Sequence, residues 1–250
     1  MDAAPHPLLL RKVTLVGVRS IGIGLVVLLG SMLVGCSASS AGDAPTQSPV
    51  EESADVAEVE AAWLEGGAMI GVVTLGSSSC VPTATEVSVS GQVLTVELAE
   101  LGDICTRDLV PRATGVGVPE GLDTAQDVTV ITTGAVEGEA LLAGVPGLVS
   151  GDSSMEVLPS AGWTGADGQF VILTWGSSSC LPMIESSEAT GPAEVTVTFA
   201  TPDADQVCTL DMAPQTTVAS VADLEDSADV EAVLTGFGFD DVRVPIIGVN

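Results

Sequence analysis

The sequence VVTLGSSSCVP, Val72 to Pro82, returns one hundred positions later as ILTWGSSSCLP, Ile172 to Pro182. The match extends back to Trp63 and Trp163, each seventeen residues before its cysteine, without a gap. Two copies of one unit therefore account for most of the chain. Each copy is about 85 residues long, which is just enough for a core of its own and is a size at which a disulfide helps.

The apolar pattern of both copies predicts strands. Met69–Leu75 is a short run rich in branched residues, and Gln92–Ala99 alternates after a turn at Ser90-Gly91. Glycine and proline follow at short intervals, as in all-β proteins. We therefore expect two tandem disulfide-stapled units, each a β-sandwich or a small barrel. The other predicted strands are Glu86–Ser90, Asp127–Thr133, Glu139–Val145, Phe170–Trp175, Glu194–Ala200, Val207–Leu210, Asp229–Leu234 and Val242–Ile247.

Composition divides the chain into five segments. The boundaries are a signal peptide over 1–35, a flexible acidic tether over 36–62, the first repeat over 63–145, a linker over 146–162 and the second repeat over 163–250. The tether is rich in Ser, Ala, Pro and acidic residues and buries too little to offset its ordering entropy. Within it, the Ala- and Glu-rich stretch Asp55–Leu64 is compatible with one or two helical turns.

The cysteines predict two disulfides. Four cysteines follow Cys36, and four allow three pairings. Because a duplicated unit carries its own bridge, we expect Cys80 to pair with Cys105 and Cys180 with Cys208, where CTRDLVP and CTLDMAP begin. A catalytic or metal-binding thiol pair is the alternative, but neither a CxxC spacing nor a nearby histidine supports it.

The first 35 residues have the pattern of an export signal. Arg11, Lys12 and Arg19 precede the apolar run Ile21–Leu33, which is shorter than a comfortable membrane span. The run ends in LVGC at Cys36, which resembles the lipobox of bacterial lipoproteins. That resemblance implies that the cysteine is diacylated and becomes the new N-terminus, since two acyl chains give stable anchoring. The alternative is an uncleaved anchor helix with an incidental cysteine.

Taken together, the lipobox and the two Trp…GSSSC…CTxDxxP repeats are similar to those of uncharacterised secreted lipoproteins of high-GC Gram-positive bacteria. This resemblance covers the signal and both repeats. It implies a protein held by its lipid on the extracytoplasmic face of the cell membrane, and it implies no particular activity.

The charged residues exclude several classes of function. From Cys36 onward there are 33 acidic residues against three arginines, a formal charge of −30, and no His, Lys or Tyr. The usual bases that activate serine are absent, as are the ligands of imidazole zinc sites and the lysine of Schiff-base or P-loop chemistry. An acidic surface also repels phosphate backbones, so a nucleic-acid partner is excluded.

The serines and the aromatic residue beside them are the first binding candidates. Ser177, Ser178 and Ser179 present three hydroxyls, but a turn explains the motif more simply, with Gly76 and Gly176 ending a strand at positive φ. Trp175 could stack on a sugar ring or an ammonium group. All three tryptophans are nevertheless better explained as core residues.

The acidic clusters are the second group of candidates. Asp203 and Asp205 could offer oxygen ligands to calcium, but no ordered loop such as DxDxDG accompanies them. We therefore predict neither a metal site nor a cofactor.

These residues predict a lipid-anchored binding or interaction module and not an enzyme. Its partners would be the membrane, through Cys36, and a neutral or cationic component of the envelope. A hydrolase that uses only carboxylates, like a glycosidase, is the first alternative. A structural component of the envelope is the second.

The lipobox can be tested by one substitution. We expect Cys36→Ala to leave an unlipidated chain that no longer partitions with membranes, because the thiol that receives the acyl groups is gone. Detergent phase partitioning with mass spectrometry of the N-terminus measures this. Unchanged membrane retention with Met1 intact would contradict the lipoprotein assignment.

Overall fold

The computed structural model describes residues 57–102, 104–151, 157–203, 205–224 and 229–250. The predicted signal peptide, Cys36 and most of the predicted tether lie outside these ranges. Among the described residues, no helix has the length and hydropathy needed to cross a membrane. The chain is all-β, as predicted, and each repeat forms one seven-stranded sheet.

The strands follow one another in the same order in both repeats. In the first repeat they are β1 (Ala57–Leu64), β2 (Met69–Gly76), β3 (Thr83–Ser90), β4 (Val93–Ala99), β5 (Val110–Gly117), β6 (Val128–Gly134) and β7 (Gly138–Leu142). In the second they are β8 (Ser160–Trp163), β9 (Gln169–Gly176), β10 (Ile184–Gly191), β11 (Glu194–Phe199), β12 (Ala213–Ser220), β13 (Glu231–Gly236) and β14 (Phe239–Ile247). A single 3₁₀ turn, Glu65–Gly67, joins β1 to β2.

The two sheets have one topology. The first has the strand order β3-β4-β6-β7-β1-β2-β5, and the second has the order β10-β11-β13-β14-β8-β9-β12. Strand β1 pairs in parallel with β7 at Ala57 and Glu58, then antiparallel with β2 from Val59 to Leu64. Because β1 changes partner along its length, it belongs to both halves of the sheet. Strands β5 and β12 each lie at the end of their sheet.

Each repeat has its own core between these halves. In the first repeat, Ile70 and Val72 from β2 pack in one cluster with Leu94 and Val130 from β4 and β6. The second repeat has the corresponding cluster around Phe170. Trp63 is 2 % exposed in the first core, as predicted, and its indole N–H donates to the Ala143 carbonyl at 2.8 Å.

Strands β2 and β9 are buried on both faces, and this joins the repeats. Alternate residues face the cores, and those between them form a third cluster from both repeats, with Val73, Val171 and Leu173 at its centre. A strand covered on both sides has a continuous apolar run instead of an alternating one. The runs at Met69–Leu75 and Phe170–Trp175 therefore have a second structural role, as the contact surface between the repeats.

This contact is two-fold symmetric in its pattern. Glu65 N–H donates to Ser160 Oγ at 2.8 Å, and Gly165 N–H donates to Glu60 Oε2 at 2.9 Å. Residues 60 and 65 correspond to 160 and 165, so the two hydrogen bonds are reciprocal. Gly71 also lies directly against its own counterpart, Val171. Reciprocal contacts of this kind are the property of an isologous interface in a two-fold dimer.

The structure corrects three predictions about local structure. The first strand of the described residues starts at Ala57, inside the predicted tether, and Asp55–Leu64 is wrong as helix because from Ala57 onward it pairs with β7 and β2. Val207–Leu210 is wrong as a strand, since it lies in the loop that the second disulfide closes. The second repeat begins at Ser160, before the predicted boundary at Trp163.

The repeat interface can be tested by adding a single methyl group. A Cβ at Gly162 would overlap the carbonyl oxygen of Trp63 in the other repeat, where backbone cannot yield. We expect Gly162→Ala to lower the free energy of unfolding by about 1–3 kcal/mol, measured by denaturant titration.

The matched control is Gly117→Ala on β5, where the added Cβ would meet nothing within 4 Å. It should change the stability by less than about 1 kcal/mol, in either direction. Equal effects of the two substitutions would contradict the close approach of the repeats at Gly162.

Candidate functional site

The GSSSC segment of the first repeat is a hydrogen-bonded turn, as predicted. Cys80 N–H donates to the Ser77 carbonyl at 3.3 Å, and Ser79 N–H reaches Ser77 Oγ at the same distance. Ser77 is half-buried, and Ser78 and Ser79 are exposed. Their hydroxyls meet the loop after Cys105, where Thr106 Oγ1 lies 2.7 Å from Ser77 Oγ.

An aspartate ends this hydroxyl network. Thr106 Oγ1 donates to Asp108 Oδ1 at close range, and Ser78 N–H points at both carboxylate oxygens of Asp108 at 3.3 Å. Thr106 N–H in turn donates to Ser79 Oγ at 3.0 Å. The network therefore ties the turn to the disulfide loop beside the bond Cys80–Cys105, and the bridge and the polar contacts fix the same two segments.

The second repeat contains the same network. Thr209 N–H donates to Ser179 Oγ at 3.0 Å, and Ser178 N–H donates to Asp211 Oδ1 at 3.1 Å. Ser177 Oγ lies 2.8 Å from Thr209 Oγ1. The disulfides themselves are Cys80–Cys105 and Cys180–Cys208, the pairing that the sequence predicted, with Cα–Cα distances of 5.6 and 5.5 Å.

The two aspartates are weak bases. Hydrogen bonds from Ser78 and then Thr106 lower the pKa of Asp108 to about 2, and those from Ser178 and Thr209 lower the pKa of Asp211 to about 2. A general base works best when its pKa lies near the operating pH. These carboxylates therefore accept hydrogen bonds and hold the loops, and they are poorly suited to activating a serine.

In each repeat, one long side chain from the edge strand contacts two backbone carbonyls of the turn. Arg112 on β5 donates to the carbonyls of Ser77, at 3.2 Å, and Cys80. Gln215, at the same position of β12, contacts the carbonyls of Ser177 and Cys180.

The glycine of the motif makes room for this contact. A Cβ at Gly76 would overlap the Arg112 guanidinium, and one at Gly176 would lie 3.4 Å from Gln215 Oε1. Neither glycine has positive φ, so that prediction is wrong. In the first repeat the glycine gives the Arg112 guanidinium room to pack against the turn, and in the second repeat a methyl group would make only ordinary contact with Gln215.

A cleft of about 510 Å³ lies between the two repeats beside these turns. Its walls come from the segment after each motif cysteine and from the edge strands β5 and β12. The apolar part of the lining includes Val81, Pro82, Leu101, Leu181, Ala213 and Pro214, and the polar part consists of Thr83, Thr114, Ser178, Gln215 and Thr216. Mostly apolar walls with a few polar groups are typical of binding sites of this size. We call it the repeat cleft.

The disulfide loops next to the repeat cleft expose large apolar side chains. Ile104 is 93 % exposed, and its carbonyl oxygen lies 3.7 Å from Cys80 Sγ. Cys80 directly precedes Val81, which lines the cleft. Val207 is 89 % exposed and stands in the same relation to Cys180. Other exposed apolar side chains of these loops and their flanks are Leu101, Leu109, Leu181, Met183, Leu210 and Met212.

The remaining predicted candidates lie elsewhere. Trp175 is half-buried in the cluster between the repeats, and its indole N–H has no hydrogen-bond partner among the described residues. Asp203 and Asp205 are exposed on the second disulfide loop. Within the described ranges, no group of three or more acidic, cysteine or histidine side chains is arranged to hold a metal ion.

The hydrolase alternative would need two carboxylates that share a cleft, and two pairs line a common space: Glu58 with Glu60, in a space of about 110 Å³, and Glu86 with Glu97 in an open depression. Glu86 and Glu97 are directly opposite on β3 and β4 and line a space of about 190 Å³ with Ser88, Thr95 and Thr133. Both glutamates are exposed, and no aromatic side chain belongs to this lining. The depression is a polar sheet surface and lacks the walls that would orient a sugar.

No family model, no curated protein and no solved structure matches this chain. The geometry of the repeat cleft and its flanking loops is therefore the basis for assigning a function.

The aspartate networks predict a stability that depends on acid pH. A carboxyl group whose pKa is lowered on folding, from 3.8 to about 2, stabilises the folded state above pH 3.8 and loses that contribution as the pH falls to about 2. We expect Asp108→Asn with Asp211→Asn to be less stable than the parent at pH 7 and to approach it by about pH 2. Urea titrations at stepped pH measure this difference.

Asp203→Asn is the matched control, an exposed aspartate on the same loop as Asp211. It should leave the pH profile unchanged. A double variant whose deficit stays constant from pH 7 to pH 2 would show that the two carboxylates do not stabilise the loops through their charge.

Proposed function

We propose that this chain is a lipid-anchored extracytoplasmic binding module that holds an extended segment of a partner protein in the repeat cleft. The observation that carries the proposal is the cleft itself, about 510 Å³ with mostly apolar walls and a few polar groups. Sites that bind ligands commonly have 300–1,000 Å³ and this mixture of groups.

The flanking loops support a protein partner. Exposed side chains such as Ile104, Val207 and Leu210 lie on loops that a disulfide and a hydroxyl–carboxylate network hold in place. Apolar side chains exposed in a group are typical of interaction surfaces. Because the loops are fixed before binding, little conformational entropy would be lost in ordering them when the partner binds.

The edge strands support an extended conformation of the bound segment. The cleft runs along residues 113–115 of β5 and 213–216 of β12, and both strands end their sheets. Thr216 Oγ1 donates to the Ala113 carbonyl at 2.8 Å across the repeats, so an added segment would pair with the edge groups beyond this contact. An extended segment can add to such an edge through main-chain hydrogen bonds, with side-chain pockets giving specificity. Pro111 and Pro214 near the start of each strand lack a backbone N–H and restrict pairing to the residues beyond them.

The charge supports a neutral or cationic partner. The part of the chain from Cys36 onward has a formal charge of −30, so it attracts cationic surfaces and repels acidic ones. Charges outside the apolar cleft would be screened beyond about 8 Å at physiological ionic strength. Binding should therefore combine an apolar contact in the cleft with attraction around it that weakens as salt is added.

Location follows from the predicted lipobox. A chain diacylated at Cys36 would keep both repeats at the outer face of the cell membrane, where disulfides persist. The proposed role is recognition without chemistry, because the serines are engaged with threonine and aspartate, and the aspartates beside them, Asp108 and Asp211, are weak bases with a pKa of about 2.

Photocrosslinking tests the proposed site in the envelope. A photoreactive phenylalanine analogue at Leu181, which lines the repeat cleft, should form one discrete adduct with an envelope protein on irradiation of intact cells. The same analogue at Leu141, equally exposed on β7 away from the cleft, is the matched control and should not form that adduct. The adduct yield should fall several-fold between about 50 and 500 mM salt, because the surrounding attraction is screened.

Two results would contradict the proposal. Identical adducts from positions 141 and 181 would mean that the cleft is not the contact. An adduct at position 181 whose yield does not depend on salt would contradict a cationic partner and would mean that recognition is apolar.

A further inference from the structure

The two disulfides differ in the charges that accompany them. From Cys36 onward the chain has only three arginines, and two of them belong to the segment 101–112, which contains Cys105. That segment also has two acidic residues, so its formal charge is zero. The matching segment 201–215, which contains Cys208, has three aspartates and no cation. A strongly acidic chain therefore keeps most of its cations near one bridge.

One of these cations is buried at a bridge cysteine. Arg112 is 8 % exposed, and its guanidinium donates to the carbonyls of Ser77 and Cys80. No carboxylate of the described residues pairs with it, and its Nε–H has no acceptor among them. Gln215 makes the same two carbonyl contacts in the second repeat without a charge. Holding the turn therefore does not require a cation, and the charge of Arg112 calls for a second explanation.

The second cation is exposed on the disulfide loop. Arg107 follows Cys105 by two residues, and both residues are exposed, whereas Cys80 is buried. The second bridge also joins one exposed and one buried cysteine, but a leucine replaces the arginine beside the exposed one. Only the first bridge therefore has a cation at each of its two ends.

The two cations match the two negative charges of a disulfide that is being opened. A disulfide is opened when a thiolate attacks one sulfur and the other sulfur leaves as a thiolate. A neighbouring arginine stabilises a thiolate, and a buried charge acts more strongly because less water screens it. Arg112 is placed for this at Cys80. Arg107 is placed to attract an incoming anion to Cys105.

We propose that Cys80–Cys105 is a site of thiol–disulfide exchange, which an external dithiol opens while Cys180–Cys208 stays closed. One thiolate of the dithiol attacks Cys105 Sγ, the bond between the two cysteines breaks, and Cys80 leaves as a thiolate. The second thiolate of the dithiol then displaces Cys105 from the mixed disulfide. The dithiol is oxidised to a disulfide, and its two electrons reduce the two cysteines. One of its two protons goes to Cys105 and the other to solvent.

Opening this bridge would change one side of the repeat cleft. The loop that carries Ile104 and Leu109 is joined to the GSSSC turn by the disulfide and by the contacts of Thr106. Reduction would leave only those polar contacts, whereas the corresponding loop of the second repeat would keep its bridge as well. The exchange itself does not depend on the partner proposed for the cleft.

Reduction of the full chain, in a non-ionic detergent at pH 7, tests the site with dithiothreitol as the probe. Free thiols are alkylated at timed intervals, and mass spectrometry of the peptides gives the reduced fraction at each cysteine. We expect Cys80–Cys105 to open at least about fivefold faster than Cys180–Cys208, because a better-stabilised thiolate leaves faster.

Three substitutions separate the effect of charge from that of fold. Arg112→Gln places the residue of the second repeat at the matching position and should slow opening of the first bridge at least about threefold. Arg107→Leu does the same at the exposed cation and should slow opening at least about twofold. Arg243→Gln is the control, because it removes the third arginine, which pairs with Glu194 and Glu231. It should change the rate by less than about 1.5-fold, since distant charges are screened.

The direction of the Arg112→Gln effect distinguishes this site from a purely structural bridge. If Arg112 only braced the turn, its loss would loosen the bridge and speed reduction, whereas loss of a cation that stabilises the leaving thiolate slows it. Urea titration of each oxidised variant shows whether it is folded, and the rate at Cys180–Cys208 is the internal reference.

Equal rates of the two bridges in the parent chain would overturn the proposal. So would an Arg112→Gln or Arg107→Leu variant whose first bridge opens at the parental rate or faster. None of these results bears on the crosslink from position 181.

Discussion

Burial of β2 and β9 on both faces is the constraint on which the molecule depends. One face of each strand fills the core of its own repeat, and only the other repeat is available to cover the second face. Reciprocal hydrogen bonds at Glu65 and Gly165 then fix the relative position of the two sheets. The repeat cleft exists because the repeats meet in this one arrangement.

Much of this fold can be predicted from the sequence, and the strands that the sequence pattern did not predict were missed for physical reasons. Strands with one solvent face alternate and were predictable, as at β4 and β11. Strands β5 and β12 were missed because proline, threonine and glycine interrupt their apolar pattern, which an edge strand can tolerate. Val207–Leu210 has the composition of a strand, yet the disulfide and the Thr209–Asp211 contact hold it as a loop. Local pattern cannot anticipate constraints that come from residues thirty positions away.

The candidate site was predictable in outline and not in its chemistry. Similar cysteine spacings in two copies, 25 and 28 residues, were enough to pair the disulfides, and the composition alone argued against an activated serine. The role of Asp108 and Asp211 was missed, although both lie three residues after their cysteine in CTxD and were visible as a shared offset. The correspondence between Arg112 and Gln215 could not be predicted from residue type, since a cation in one repeat and an amide in the other contact equivalent carbonyls. The contact between the repeats was signalled only by the unbroken apolar runs of β2 and β9.

The two-fold pattern of the interface has a consequence for how the assembly of the repeats depends on protein concentration. A dimer built from two separate copies of such a unit would come apart on dilution, and its stability would depend on the protein concentration. Here both partners are on one chain, so the second repeat is present at an effective concentration set by the connection between β7 and β8, residues 143–159. The interface between the repeats therefore stays assembled at any dilution, and a single chain contains the whole of it.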